Sequence, residues 1–309
     1  MKILTDIQSI GSLQGPLHLA IGVFDGVHKG HQTVIRRALD CQKTSGGEVV
    51  VVTFDPHPVT VLAPESAPRL LTSTHHKAIL IAELLDVRHL LVVRFDRKFA
   101  AQTGDVFIRQ LCEAAEIGSI SVGSDFQFGK GRSGNVALLD SLSSELNFQL
   151  NATEIVEIDG VVASSTEIRE AIEKGDFASA RKLLGREYTV LGTVIEGRQL
   201  GRTIGFPTAN LTVHSEQLPP VGVYAVRASL NGVIHAGVAN LGYRPTVEGA
   251  DARLLLEVHL FDWEKDIYGE DLEIEFVRFI RGEQKFDGVE ALKVQIQADA
   301  EEARTFLGV

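Results

Sequence analysis

Cysteine is nearly absent from this 309-residue chain. Cys41 and Cys112 are the only 2, lie far apart and form no C-x-x-C, so no disulfide framework is expected. They read as buried free thiols in a reducing compartment. Basic charge is also scarce: 30 Lys and Arg face 41 Asp and Glu, for a net charge of −11. With no long basic run to offset it, that balance excludes a general nucleic-acid or acidic-membrane surface, though not an anionic ligand in a local pocket. No apolar run approaches the ~20 residues of a membrane span, and the N-terminus has no sustained leader-like hydrophobic stretch; the expected location is the cytoplasm. Internal repeats, low-complexity segments and a G-x-x-x-x-G-K-[ST] phosphate loop are missing too. What remains is 44% hydrophobic and 23% charged, the composition of an ordinary globular protein, at a length for which two domains are expected.

Patterning changes along the chain. Up to about residue 185, apolar strand-like runs (Leu17–Val23, Glu48–Phe54, His89–Phe95, Ser119–Val122, Ala152–Glu157) alternate with helical spacings near His75–Leu85, Asp105–Ala115, Val136–Leu146 and Glu167–Glu173. That predicts a parallel sheet covered on both faces, with ligands beyond the carboxyl ends of its strands. After residue 187, Tyr188–Glu196, Val223–Leu230, Val233–Asn240, Leu254–Phe261 and Leu272–Phe279 read as strands without intervening helices. Asn231-Gly232 marks a hairpin, and an amphipathic helix (Val289, Leu292, Ile296, Ala300, Ala303, Leu307) ends the chain. An antiparallel barrel or sandwich is expected there, with the boundary near Leu184-Gly185-Arg186.

The richest stretch is A-I-G-V-F-D-G-V-H-K-G-H, residues 20–31. A strand ends in Gly22, Phe24 and Asp25; His28 and His31 follow at i and i+3 around Gly30, and helical spacing begins at His31. A helix N-terminus behind a glycine-softened turn presents unpaired N–H groups and a positive dipole end, and histidines there can hydrogen-bond phosphate oxygens. Ordinary packed histidines and an H-x-x-H metal pair are the alternatives; no third ligand follows at a zinc-like spacing. A second element, A-S-S-T-E-I-R at 163–169, fits a capping box at Ser164 and Glu167. Ser165, Thr166 and Arg169 exceed what capping needs and suit nucleotide phosphates. Gly129–Gly134 matches G-x-G-x-x-G, but a dinucleotide site would carry it at the first strand–helix turn. It reads instead as a mobile basic loop over a ligand, preceded by Asp125, Phe126 and Phe128.

In the second half, G-R-Q-L-G-R-T-I-G-F-P-T-A-N (197–210) places Gly197, Gly201 and Gly205 before Thr208 and Asn210. Glycine turns alone would explain the spacing, but Thr and Asn oxygens suit a hard cation such as Mg²⁺. Glu257, in L-L-L-E-V-H-L-F, alternates with Leu256 and Val258 and reads on patterning as an outward glutamate of a half-exposed strand.

Four segments in order, G-V-F-D-G-V-H-K-G-H, T-F-D-P-H-P, V-G-S-D-F-Q-F-G-K-G-R-S-G and S-S-T-E-I-R, resemble the adenylyltransferase half of bacterial bifunctional riboflavin kinase/FAD synthetases. G-F-P-T-A-N, G-V-A-N-L-G-Y-R-P-T-V and L-E-V-H-L-F-D-W-E-K-D-I-Y-G resemble the riboflavin kinase module over most of 188–290. The resemblance implies a Rossmann-like nucleotidyltransferase domain at 1–185 and a kinase β-barrel closed by a C-terminal helix at 186–309. It implies riboflavin, FMN and ATP as substrates, Mg²⁺ with the ATP, and neither nucleic acid nor membrane as partner. It also implies that His28, His31, Gly22, Phe24, Asp25, Gly30, Ser164, Ser165, Thr166 and Arg169 serve ATP and phosphate. By the same token Asp125 and Phe128 serve flavin, with a core role for Phe128 equally open. Gly197, Gly201, Gly205, Thr208 and Asn210 would serve kinase ATP, the last two holding the metal, and Glu257 would be the base. His259 and Arg281 are expected to support structure, and Trp263 to pack.

Overall fold

The structure, a computed structural model, describes residues 1–197, 205–244 and 253–309. Its contacts divide into two compact units, Met1–Arg69 with Thr74–Ser165, and Leu70–Ser73 with Thr166–Val309.

The first unit is built on six parallel strands: β1 (Lys2–Leu4), β2 (Leu17–Ile21), β3 (Glu48–Asp55), β4 (His89–Arg94), β5 (Ile117–Gly123) and β6 (Gln149–Thr153), in the order β1-β4-β3-β2-β5-β6. Side-chain alternation sorts each strand between two apolar layers. Leu17, Leu19, Ile21, Val50 and Val52 pack with Phe107, Ile108 and Leu139 from helices Gly104–Ala114 and Val136–Leu146. Ala20, Val49 and Val51 pack with Val34, Ile35 and Ile81 from helices Lys29–Ser45 and Thr74–Leu85. Strand β2 pairs with both β3 and β5, so the strand order reverses beside it. Such a switch point opens a crevice beyond the carboxyl ends of the strands. The expected strand at Ala152–Glu157 lies at Gln149–Thr153 instead; Glu157–Ile158 (β7) and Val161–Val162 (β8) form a separate small hairpin. Cys41 and Cys112 are free but only half-buried, and burial pushes the Cys112 thiol up to about 11.

In the second unit, β9 (Thr189–Ile195), β10 (Ala209–Val213), β11 (Gly222–Leu230), β12 (Val233–Arg244), β13 (Arg253–Leu260) and β14 (Asp271–Arg281) close into a barrel in the order β10-β13-β12-β11-β14-β9. The hairpin turn is where the sequence places it, with Asn231 and Gly232 at φ +51° and +80°, as a primed turn requires. Helix Val289–Leu307 lays Ala300 and Ala303 on Val223, Ala225 and Val238 of the barrel's outer face. Arg281 clamps it there, pairing with the buried Asp299 carboxylate through Nε and Nη2, down to 2.7 Å. Strand β10 escapes the sequence reading, and so does helix Phe177–Leu184. Phe177 stacks on Phe276 with centroids 6.1 Å apart, and the residues after Ser165 are accordingly grouped with the barrel rather than with the sheet.

Candidate active sites

The turn after β2 is unusual in its backbone before its side chains are considered. Phe24 and Val27, neither of them glycine, hold φ at +53° and +45°, with Gly26 between them at +81°. Left-handed non-glycine residues cost on the order of 1–3 kcal/mol and persist where packing over-determines them; here both side chains are fully buried. Gly22 belongs to the same packing, since a Cβ would lie 2.9 Å from the Phe24 ring. The helix begins at Lys29 rather than His31, because His28 is its N-cap: its Nδ1 accepts the His31 backbone N–H at 3.4 Å. In the neutral ring that leaves the imidazole proton on Nε2. The two imidazoles stack with centroids 3.5 Å apart, and Phe24 meets His31 edge-on at 5.3 Å. A Cβ on Gly30 would sit 3.1 Å from the His28 ring and 3.2 Å from the Ala163 carbonyl, so glycine is what lets the pair close.

The charge around this turn is fixed from beneath. Burial holds His31 well below the usual histidine value, and the neighbouring His28 and Lys77 lower it further. It is therefore neutral at pH 7, with a buried Nδ1 that no protein group hydrogen-bonds. Lys77, on helix Thr74–Leu85, is only 4% exposed and escapes the sequence reading. Its ammonium donates to the Val23 carbonyl at 2.7 Å and to Thr53 Oγ1 at 3.2 Å. Burial pulls its pKa down to about 8, against the opposing pull of Asp25 and Asp55. A signal existed: Lys77, Ile81 and Leu84 share an i, i+4, i+7 stripe, where a charge is out of place.

One further segment meets the turn within this unit. Ser165 donates its hydroxyl to the Asp25 carbonyl at 2.9 Å, and Asp25 itself is 2% exposed. Helix Ser165–Glu173 starts directly after Ser164, where the capping pattern predicts; its Thr166 and Arg169 are grouped with the second unit. The loop after β5 lies beside β2 across the switch point. Expected to be mobile, it is tied down: Lys130 N–H donates to the Gln102 carbonyl at 2.7 Å and Gly104 N–H to Ser133 Oγ at 3.1 Å. Phe128 stacks on Phe126 at 5.0 Å and meets Phe107 edge-on at 6.3 Å, so part of the ring packs on the core. Asp125 is exposed.

In the barrel, Asn210 is the second residue of β10 and is 6% exposed, with a buried Oδ1 that has no hydrogen-bond partner. A Cβ on Gly197 would overlap the Asn210 amide, which explains that glycine. Gly205, at φ +89°, precedes the motif; Gly201 lies outside the described residues. The register places Glu257 directly opposite Asn210 on one side and Asn240 on the other. Leu256 and Val258 fill the core, and Glu257 is half-buried on the opposite face of the strand. His259 donates from Nδ1 to the Pro207 carbonyl at 2.8 Å, pinning the Pro207–Asn210 segment, and Phe206 packs edge-on against its ring. Beside Thr208 a cavity of about 520 Å³ is lined by Val194, Leu260, Trp263 and Tyr268. Trp263 thus packs on His235 but also walls a cavity. No cluster of three or more His, Cys, Asp or Glu side chains suited to a metal occurs among the described residues. An amide and a hydroxyl oxygen fit a divalent ion carried largely by nucleotide phosphates.

A family model described as riboflavin kinase matches residues 184–307, and one described as FAD synthetase matches residues 12–167. A bifunctional riboflavin kinase/FMN adenylyltransferase from Haemophilus influenzae is 41% identical over 308 residues, covering 99% of each chain. Its Escherichia coli K12 counterpart is 39% identical over 312 residues, covering 100% of this chain and 99% of its own. A solved Streptococcus pneumoniae structure named a macrolide-efflux protein superposes with a TM-score of 0.80 at 29% identity, covering 98% of this chain and 99% of its own. Among the described residues no helix is long and apolar enough to cross a membrane.

Proposed function

This chain belongs to the bifunctional riboflavin kinase/FMN adenylyltransferase family, and on that premise we propose where and how its two reactions run. It phosphorylates riboflavin to FMN and adenylylates FMN to FAD, with ATP in both steps. A divalent metal accompanies the ATP, and we assign it as Mg²⁺.

The kinase site is read from one observation above all: Asn210, with its unpartnered buried oxygen, stands opposite Glu257 in the barrel register. Thr208 and Asn210 would hold Mg²⁺ with the ATP phosphates, and when bound the ion offsets charge on the transferring phosphoryl group. The nucleotide base would take the cavity walled by Trp263 and Tyr268, with Gly197 and Gly205 shaping the approach. Riboflavin's 5′-hydroxyl is neutral and carries a proton that must leave. Glu257 accepts it as the oxygen bonds to the γ-phosphorus and ADP departs.

The adenylyltransferase site is the histidine turn. The FMN phosphate is mostly dianionic near neutrality, with a second pKa of about 6, so it needs no base. Its oxygen bonds to the α-phosphorus of ATP as the bond to the pyrophosphate oxygen breaks. The protein's part is to hold the reactants in line and to meet the developing charge. His28 donates from Nε2, the helix N-terminus presents its N–H groups, and Ser164 and Ser165 add hydroxyls from the same unit. Gly22, Phe24, Asp25 and Gly30 shape the turn, while Asp125 and the Phe126–Phe128 stack would face the flavin. The first reaction belongs to 186–309 and the second to 1–185, in the cytoplasm. The test is product analysis of the whole chain supplied with riboflavin and ATP, with Mg²⁺ or with a chelator. FMN followed by FAD should appear only with the metal; FMN formed equally under chelation would contradict the Thr208–Asn210 assignment.

A further inference from the structure

We propose that Lys77 is a positioning residue for FMN adenylylation: its ammonium, bonded to the Val23 carbonyl and Thr53, sets how the His28–His31 pair meets an anionic substrate. The inference rests on the reading of the histidine turn as the adenylyltransferase site.

The geometry is specific. Lysine is almost never fully buried unless paired, yet Lys77 is buried on the apolar side of its helix. Thr53 donates its hydroxyl to the same Val23 carbonyl at 2.9 Å. One carbonyl at the start of the turn thus takes two donors, from β3 and from helix Thr74–Leu85, while Lys77 also donates to Thr53 at 3.2 Å. The turn they hold is the one whose Phe24 and Val27 are left-handed. A leucine or methionine would fill an apolar stripe without the cost of desolvating an ammonium, so packing alone does not account for a lysine here.

The charges near it are mixed. Asp25 and Asp55 favour the ammonium, and a charged His31 is disfavoured first by burial, then by His28 and then by the ammonium. His31 therefore stays a neutral hydrogen-bonding ring while a fixed positive charge lies beneath the turn. Above about pH 8 the ammonium is lost and the arrangement with it.

The test uses the full chain with Lys77→Met, Lys77→Arg and Thr53→Val. FAD formation from supplied FMN is followed between about pH 6 and 9, riboflavin phosphorylation by the same preparation reports on the barrel, and the His31 ring is titrated by NMR. Lys77→Met should lower FAD formation by about tenfold or more, the scale of losing one preorganised charged contact. It should also raise the His31 titration midpoint, burial and His28 still holding it below the ordinary histidine range, and remove the alkaline decline of the wild type. Lys77→Arg, which keeps the charge, should recover most of the rate. If Lys77→Met unfolds the first unit, Thr53→Val decides: it removes the shared hydroxyl without removing the charge, and should slow FAD formation with little change in His31. A Lys77→Met protein with an unchanged rate overturns the proposal. So does one that is slow but keeps the wild-type His31 titration and pH profile, because that is a packing defect. If His31→Ala leaves FAD formation intact, the site reading itself fails; if His31 matters and Lys77 does not, only this inference fails.

Discussion

At the scale of single residues, the reactions are separated by protonation state. In the proposed assignment FMN brings an ionised phosphate to a site whose histidine is kept neutral, whereas riboflavin brings a hydroxyl to a site with a carboxylate. The spacing proposes His31 as a phosphate ligand but does not give its charge, which depends first on burial, then on His28, and then on Lys77, from a helix more than forty positions along. The depressed His31 value has a stability consequence. The unfolded ring takes up a proton near pH 6.5 and the folded ring does not, so this contribution is intact above 6.5 and is lost as pH falls from there towards the lowered folded value. Thermal unfolding of the full chain followed from about pH 8 to pH 5 should show the first unit losing stability below 6.5, with a shallower slope for His31→Ala; identical slopes would deny His31 a role. Gly197 carries the matching prediction for the barrel. A methyl group there must displace the Asn210 amide. Gly197→Ala should therefore cut FMN formation by about tenfold or more while FAD formation from supplied FMN holds, which paired product assays would check.

At the scale of elements, periodicity found what it is suited to find. Helix Val136–Leu146 and the Asn231-Gly232 hairpin lie where the sequence puts them, since each is fixed by its own residues. Strand β10 was missed because it is short and follows a glycine-rich run; its strand character comes from pairing with β9 and β13. The same pairing sets Glu257 beside Asn210, and no local pattern encodes a cross-strand register between segments so far apart. On patterning alone Glu257 was an outward glutamate, and the half-buried position confirms that direction while supplying the neighbours that patterning lacked. The C-terminal helix is fastened by the Arg281–Asp299 pair, with Asp299 4% exposed. Asp299→Ala leaves the Arg281 guanidinium, on a side chain 16% exposed, without its carboxylate and should cost roughly 3 kcal/mol, the low end of the range for breaking a buried pair. Chemical denaturation monitored at Trp263 would measure it, and a change below about 1 kcal/mol would mean that the clamp is solvated.

At the scale of the whole molecule, the sequence announces two modules by a change of pattern, but the seam is less sharp than the composition suggests. Leu70, distant in sequence, hydrogen-bonds through its N–H to Glu216 and through its carbonyl to the Glu216 and Gln217 N–H groups, so a short stretch of the first half belongs to the second unit. Cutting the chain at residue 185 would remove both that stretch and the Phe177 stack on Phe276. The separation of the two chemistries is therefore best read in the intact chain. The most direct measurement compares Glu257→Gln and His28→Ala, each folded as judged by circular dichroism and each supplied in turn with riboflavin and with FMN, both with ATP and Mg²⁺. Glu257→Gln should form FMN about 10²–10⁴-fold more slowly, yet convert supplied FMN to FAD at the wild-type rate. His28→Ala should accumulate FMN from riboflavin and make FAD roughly 10²-fold more slowly. Loss of both activities in either folded variant would contradict two independent sites, and normal phosphorylation by Glu257→Gln would leave the barrel without its base.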